Sequence, residues 1–502
     1  METHGRTVIK ANYTEEQLLK GSIDQIKERV LKIVKDSIPY HEQNATESKY
    51  LIDYEYGIQD IRFKEKHTRT EINNKGVENW AYAMIDWKKT FLLGRPVMYA
   101  PIKDVGEDQI NVLNTYTSYE SKNIKDLEIW DNVLACGRGF RYIKSSPVND
   151  EDESPFNINN IDPLKCEVVY SSGIDGEQLL SYVVTSQVLD NFTFDTNEKV
   201  IKNEQTFYDE YTVYTRKFRF VINNKYGTWN VENEVQPIYQ NEHSIVEYYL
   251  NPRRMGIIEL GKDIFDDINR VENLDLDDIE SFVNAIMVFT NAEVDKEGME
   301  SIREFGAVSI KSTDQKQAKV ELLQSRLKSL DTQIFYLRKI SALHDILSIP
   351  QANNSGVVSN AETGKATLTG QGFTSASVRI EGEELKFKEC DKKCLKAILK
   401  ICKNKTDTGI TNLKVSDIEI KLNRDLSDNL VSKTTALVNL ATAQIPPAVR
   451  NQVVGLFSDP VSVTKMQEAF IEEQRNLTNE LNKLKNQENK NQDSEELDIQ
   501  GQ

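Results

Sequence analysis

The sequence predicts a helix-rich α+β subunit, and three observations carry that prediction. Two long stretches repeat apolar residues at helical spacing: Ile264, Ile268, Val271, Leu274, Ile279, Phe282 and Ile286 in one, Leu323, Leu327, Leu330, Ile334 and Leu337 in the other. Between Asn157 and Tyr249 the pattern changes to short runs rich in Tyr, Phe, Val and Thr, separated by Gly, Asn and Asp, as strands and tight turns require. A chain of 502 residues, 39% hydrophobic and 28% charged, has material for about three soluble globular domains.

Taken in order, residues Glu15 to Ser37 carry Leu18, Ile23, Ile26, Val30, Ile33 and Val34 on one side, which predicts an amphipathic helix. The polar segment HEQNATESKY follows it, and its sequon Asn44-Ala45-Thr46 has no weight without secretion. A helix from Gly76 to Leu93 carries Trp80, Tyr82, Met84, Ile85, Trp87 and Phe91, too many large apolar groups for one stripe, so it is expected to pack on more than one side. It stops at Gly94-Arg95-Pro96, and Val97, Met98 and Tyr99 extend as a strand. The segment Ile124 to Ala135 reads as a helix ending at Cys136-Gly137-Arg138-Gly139, with Phe140 to Ile143 as a strand. This Gly-x-Gly follows its helix, whereas a dinucleotide fingerprint precedes one, and it is read as a turn. Strands are then expected at Cys166 to Tyr170, Gln178 to Thr185, Thr206 to Arg216, Lys217 to Val221 and Thr228 to Val231. The tyrosines from Tyr208 to Tyr214 have no basic cluster interleaved, so they read as half-buried strand residues and not as a base-stacking platform.

The first rod, Ile257 to Asn291, would be about 50 Å long at 1.5 Å per residue. Asp263, Asp266, Asp267, Glu272, Asp275, Asp277, Asp278 and Glu280 crowd its outer face, with Lys262 and Arg270 as the nearby cations. Composition alone reads this as a solvated face; the sharper reading is a surface that does not adhere to another polyanion. The insert from Thr290 to Lys319 reads as small α/β, with Met299 to Phe305 helical and Val308 to Ile310 and Val320 to Leu322 strand-like. A second rod follows, and after Pro350 comes the loop QANNSGVVSNAETGKATLTGQG. Its Gly364-Lys365 fails as a phosphate loop: Gly356 precedes Gly364 by eight residues, and Ala366 stands where a magnesium-binding Ser or Thr is needed.

From Phe373 the chain is helical again, with Gly382 expected to weaken or bend it and with Lys386, Lys388, Lys392, Lys393, Lys396, Lys400, Lys403 and Lys405 as the most basic run. A solvated face is the default for that run and phosphate contact the alternative. Asn412 to Leu422 alternates as a strand. Helices follow from about Asp428 to Phe470, interrupted at Ile445-Pro446-Pro447 and Ser458-Asp459-Pro460, and the residues after Asn482 read as disordered.

The net charge of −17 argues against a broad grip on nucleic acid. No apolar run spans a bilayer, so no membrane is expected, and METHGRTVIKANYTEEQ is not a secretory signal. The five cysteines lack metal-ligand spacing and are expected to be small buried thiols. The five histidines are isolated and no calcium loop, nucleophile motif or cofactor fingerprint is present, so no catalytic residue, metal or cofactor is assigned.

Several short motifs occur in a fixed order: Leu93-Gly94-Arg95-Pro96-Val97-Met98-Tyr99 after the aromatic helix, Asp162-Pro163 leading to Val168-Val169-Tyr170, and Ile245-Val246-Glu247-Tyr248 before the acidic helix. Ser355-Gly356-Val357 follows the second rod, and Leu422-Asn423-Arg424-Asp425-Leu426 precedes the helices that end at Asp459-Pro460. In this collinearity, over about residues 15 to 480, the chain resembles the portal proteins of tailed bacteriophages, particularly long-tailed phages of Gram-positive hosts. The resemblance implies a portal-type subunit: wing 1–256, first stem helix 257–290, clip 291–322, second stem helix 323–349, tunnel loop 350–372, a return to the wing 373–424, crown 425–481 and tail 482–502. It further implies a non-enzymatic homo-oligomeric ring, typically of about twelve copies, at one capsid vertex of the virion after assembly in the host cytoplasm. Double-stranded DNA would pass through the ring, and terminase, major capsid and scaffolding proteins and a head-tail adaptor would dock on it. Within the tunnel loop, Asn353, Asn354, Ser355, Asn360, Thr363, Lys365 and Thr367 would face the DNA; on the stem, Asp266, Asp267, Asp277 and Asp278 would form an acidic face. The alternatives are a packaging enzyme, nuclease or ATPase, and a coiled-coil scaffold unrelated to phage.

Overall fold

The computed structural model describes residues 4–67, 70–102, 106–146, 153–194, 200–283, 286–290, 319–323, 329–351, 373–406, 408–422, 430–454, 456 and 463–480. The chain divides into two compact units, residues 1–359 with 367–420, and residues 360–366 with 421–502.

In the first unit, helices α1 (Glu15–Leu19) and α2 (Ile23–Glu55) each start on a capping box, Thr14 with Gln17 and Ser22 with Gln25. Leu18, Ile26, Val30, Ile33 and Val34 form the buried side and pack on Val169, Leu179, Tyr182, Tyr211, Val213, Phe220 and Ile222 of a seven-stranded sheet. The strand order runs Ile9–Ala11, Cys166–Ser171, Gln178–Phe194, Val200–Tyr214, Phe218–Asn223 and Gln236–Pro237, with Asn230–Val231 also paired to Phe218–Asn223. Ile9–Ala11 is parallel to its neighbour and the other pairs are antiparallel. Every strand expected between Cys166 and Val231 is present, and the two central ones are longer than their apolar runs indicate.

Two helical expectations need correction. Ile23 is exposed, not on the buried side, and α2 continues through Pro39 and the whole of HEQNATESKY. The polar stretch stays helical because its inner face has partners. Asn44 accepts from the Thr7 N–H at 2.8 Å and donates to the Thr7 carbonyl at 2.9 Å, while Glu47 pairs with Arg6. Helix α3 (Trp80–Leu93) starts later than expected, capped by Asn79, and packs against α2 and against the helix Lys122–Cys136. Helix α4 (Glu107–Tyr119) has only Ile110 and Leu113 as buried apolar residues.

Helix α5 (Lys122–Cys136) ends where Gly137 turns at φ 84°; a Cβ there would lie 2.0 Å from the Arg254 carbonyl oxygen. The Gly-x-Gly is thus a chain-reversing turn. It leads into Arg138–Ser145, the middle strand between Ile245–Tyr249 and Phe156–Ile161.

Helix α6 (Ile257–Val283) is shorter than its periodicity predicts. Ile286–Thr290 is a strand, paired antiparallel with Lys319–Leu323, and helix α7 begins only at Ser329 (Ser329–Leu347). Helix α8 (Phe373–Asn404) passes through Gly382 without a break. The later strand is shorter than expected, Ile418–Lys421, and pairs with Met98–Pro101. All five cysteines are free and buried.

A buried ionic cluster ties these elements together. Lys122 Nζ donates to Asp126 at 2.7 Å and lies 3.0 Å from Asp391; Arg141 donates to Asp126 at 2.6 Å; the hydroxyls of Tyr99 and Tyr248 donate to Asp391 at 2.9 and 3.0 Å. Burial pushes the Asp391 carboxyl up, but Lys122 and Arg141 outweigh it and hold it below its ordinary range.

In the second unit, helices α9 (Leu430–Thr442) and α10 (Pro447–Val454) are separated at Ile445-Pro446-Pro447 as expected, with Pro447 at the first helical position. A further helix covers residues 463–480, and the Asn451 amide donates to Thr464 and Gln467 across the pair. The expectations for Met299 to Phe305, Val308 to Ile310, the loop from Asn353 to Thr367 and the tail after Asn482 lie outside the described residues.

Candidate functional site

The long helices α6 and α7 are antiparallel. Gly261 sits against Leu343, where a Cβ would come within 3.1 Å of the leucine methyl; Asp267 pairs with Lys339 at 2.7 Å; and Thr332 bonds to Asp275. At the base the seam is closed by Ile257, Ile258, Phe265 and Ile268 with Ile340, Leu343 and Leu347, all buried. Farther out it opens. Leu274, Leu276, Ile279, Ile334, Phe335 and Leu337 are 40 to 54% exposed. The distal half of the pair therefore carries a band of large apolar side chains that the subunit itself does not cover.

A strap, residues 70–79, holds α6 from the other side. Asn269, Asn273 and Asp277 recur every fourth residue on one helix face, a rise of about 6 Å per step. Opposite them Glu78, Gly76 and Asn74 recur every second residue of extended chain, about 6.6 Å per step, so the two repeats match. The backbone N–H of Glu78 donates to Asn269 at 2.8 Å, that of Gly76 to Asn273 at 2.6 Å and that of Asn74 to Asp277 at 2.8 Å. Asn273 returns a bond to the Gly76 carbonyl, and Asn269 donates to Gln59. The Glu78 carboxylate accepts from Tyr336 of α7, so one strap residue touches both long helices.

This geometry corrects the expected acidic face. Asp277 is buried and ion-paired with Lys64 and Lys66 at 3.1 and 3.2 Å. Burial pushes its carboxyl up, but the Asn74 N–H and the two lysines prevail and hold it down to about 2. Asp266 pairs with Lys262 and accepts from Tyr54, and Asp267 pairs with Arg270 and Lys339. Of the four aspartates only Asp278 is freely exposed, alongside Asp263, Glu272 and Glu280. Lys64 and Lys66, which precede the strap, neutralise Asp277, Lys339 of α7 joins Arg270 at Asp267, and Lys262 of α6 itself serves Asp266. Asn269 and Asn273 were missed. Their signal was three Asx residues at four-residue steps inside a helix, where such side chains are poor formers and need a partner.

Half of the basic run is paired as well: Lys386 with Glu389, Lys388 with Glu384, and Lys396 and Lys400 with Glu242. Among the described residues no cluster of His, Cys, Asp and Glu could hold a metal, and no helix is long and apolar enough to cross a membrane.

The family described as Phage portal protein, SPP1 Gp6-like, matches residues 35–493. The chain belongs to the phage portal protein family. Portal proteins are structural components of the phage particle, multimeric rings at the capsid vertex, and the family is non-enzymatic. Among solved structures this portal chain is similar to one described as the neck of an empty GTA particle computed with C6 symmetry, at 10% identity and a TM-score of 0.38, covering 75% of this chain and 90% of that one. No curated protein matches it.

Proposed function

We propose that copies of this chain close into a ring through their stem helices and that double-stranded DNA passes through the ring during packaging and ejection. The observation that carries this is the uncovered apolar band on the distal halves of α6 and α7. An isolated subunit leaves it in water; side-by-side copies bury it, and cyclic repetition of one such contact closes a ring.

The exposed acids Asp263, Glu272, Asp278 and Glu280 supply the charge that keeps a polyanion from adhering, while Asp266, Asp267 and Asp277 hold the stem together. The loop residues Asn353, Asn354, Ser355, Asn360, Thr363, Lys365 and Thr367 are proposed to face the DNA, and terminase, scaffolding and capsid proteins and the head-tail adaptor to dock on the assembled ring. Chain turnover of nucleotide is not part of this role.

Mass photometry tests the ring. Twelve copies of the 57.5 kDa chain give a particle of roughly 690 kDa, and Leu274→Glu with Leu337→Glu is expected to leave single subunits of unchanged helicity. A wild-type chain that stays a single subunit at every concentration, or that hydrolyses ATP, rules the reading out.

A further inference from the structure

A groove of about 440 Å³ opens on the first unit between the end of α8, the strand Arg138–Ser145 and the segment from Gln236 to Ser244. Its walls include Tyr142, Tyr214 and Tyr239 and three cations, Lys144, Arg219 and Lys405, and among the described residues no Asp or Glu lines it. In a chain of net charge −17 a concave site whose described lining holds three cations and no acid is a local reversal of sign.

Two of the cations are incompletely satisfied. Lys405 Nζ is enclosed and has no hydrogen-bond partner, and Arg219 Nε is likewise enclosed and unpaired, although its guanidinium donates to Gln236 at 2.7 Å. Burial pushes the Lys405 ammonium below its ordinary range, and the neighbouring Cys402 offsets that only in part. Glu242, on the segment from Gln236 to Ser244, is already taken by Lys396 and Lys400. Tyr239 is 82% exposed at the rim, an apolar ring beside the charges.

We propose that this groove is a docking site for an acidic peptide segment of a partner protein, whose carboxylates meet Lys405 and Arg219 and whose apolar atoms lie on Tyr239. A carboxylate is small enough to descend to an enclosed ammonium or guanidinium and accept a charge-assisted bond there. Duplex DNA presents its phosphates on a convex rod and would meet the exposed lysines outside the groove instead. The inference does not depend on ring closure.

Fluorescence anisotropy of the full chain with a labelled decaglutamate peptide tests it, with decaglutamine and a 12-base-pair duplex as competitors. Decaglutamate is expected to bind, to weaken about tenfold in Lys405→Gln and in Arg219→Gln, and to be displaced by neither competitor. The rim variant Lys144→Gln, at an exposed position, is expected to weaken binding about threefold and keeps the test open should an inner variant fold poorly. The chain's own acids Asp150, Glu151, Asp152 and Glu153 follow the Arg138–Ser145 strand in sequence, and neutralising all four should leave the affinity within about twofold. Equal binding by the wild type and all three cation variants overturns the proposal. So does displacement by the duplex, or an affinity that rises about tenfold when the chain's own acids are removed.

Discussion

Asn273 and Gly76 exchange two hydrogen bonds: the glycine N–H donates to Asn273 Oδ1 at 2.6 Å, and Asn273 Nδ2 donates to the glycine carbonyl at 2.8 Å. A side-chain amide on a helix here does what a neighbouring strand does in a sheet. Repeated above and below by Asn269 and Asp277, it lets an extended segment lie along α6 without pairing to any strand.

Asn273→Ala leaves both Gly76 groups without a protein partner, and the cost is about 1–2 kcal/mol because water reaches part of the strap. The variant should unfold at lower urea and be cut faster by protease within residues 70–79. Gly76→Ala is the control. Its Cβ would meet Asn273 Oδ1 at 3.5 Å, an ordinary contact, so the bonds persist and stability should hold. Identical behaviour of the two variants would show that the ladder contributes nothing.

Asp391 is buried between two cations and two tyrosine hydroxyls. Asp391→Asn removes one of the two acids in the cluster and leaves Lys122 and Arg141 facing Asp126 alone, at a cost of about 3–5 kcal/mol. Tyr99→Phe, which removes one hydrogen bond and keeps the charges, should cost about 1 kcal/mol. The check is the ratio of the two losses in denaturant unfolding, which a purely steric role for Asp391 would bring close to one.

Glu55 is the opposite case. It is buried at the end of α2 with Oε1 unpaired, and burial, with Asp131 adding to it, pushes its carboxyl up to about 8 despite Lys89. A carboxyl whose folded value is raised favours the fold below its unfolded value near 4.3 and loses that contribution as pH rises towards 8. Glu55→Gln should therefore stabilise the chain by on the order of 2 kcal/mol at pH 8 and by little at pH 4.5. Thermal melts of both proteins across that range decide it. A difference independent of pH would place the effect in packing.

Much of this was legible in the sequence because it rests on local periodicity. The buried side of α2, the strands from Cys166 to Val231 and the turn at Gly137 follow from spacing and from glycine. What escaped depends on partners far along the chain. The continuation of α2 through HEQNATESKY is sustained by Thr7 and Arg6, and the strap by residues some two hundred positions later. The first rod stops at Val283 although Ile286 keeps the helical period, since Ile286–Thr290 finds Lys319–Leu323 as a strand partner. Likewise the acids of α6 could be counted, but not sorted into paired and free, without knowing where Lys64, Lys66 and Lys339 fall.

That sorting separates two neighbouring aspartates. Asp277 is enclosed by the strap and its two lysines, and Asp278 points to solvent. Since the Asp277 carboxyl is lowered to about 2, its stabilising contribution is complete above the unfolded value near 3.9 and is lost as pH falls through 2. Asp277→Asn should cost about 2 kcal/mol at pH 7, with the variant and wild-type stability curves converging towards pH 2. Asp278→Asn should leave stability within about 0.5 kcal/mol at every pH. In a DNA-packaging assay the order reverses for a charge that faces the channel: Asp278→Asn, with Glu272→Gln and Glu280→Gln, should slow translocation most at low salt, where an attractive or neutral wall is least screened. An unaltered packaging rate and salt dependence in that triple variant would remove the acids of α6 from contact with DNA, while leaving the structural role of Asp277 untouched.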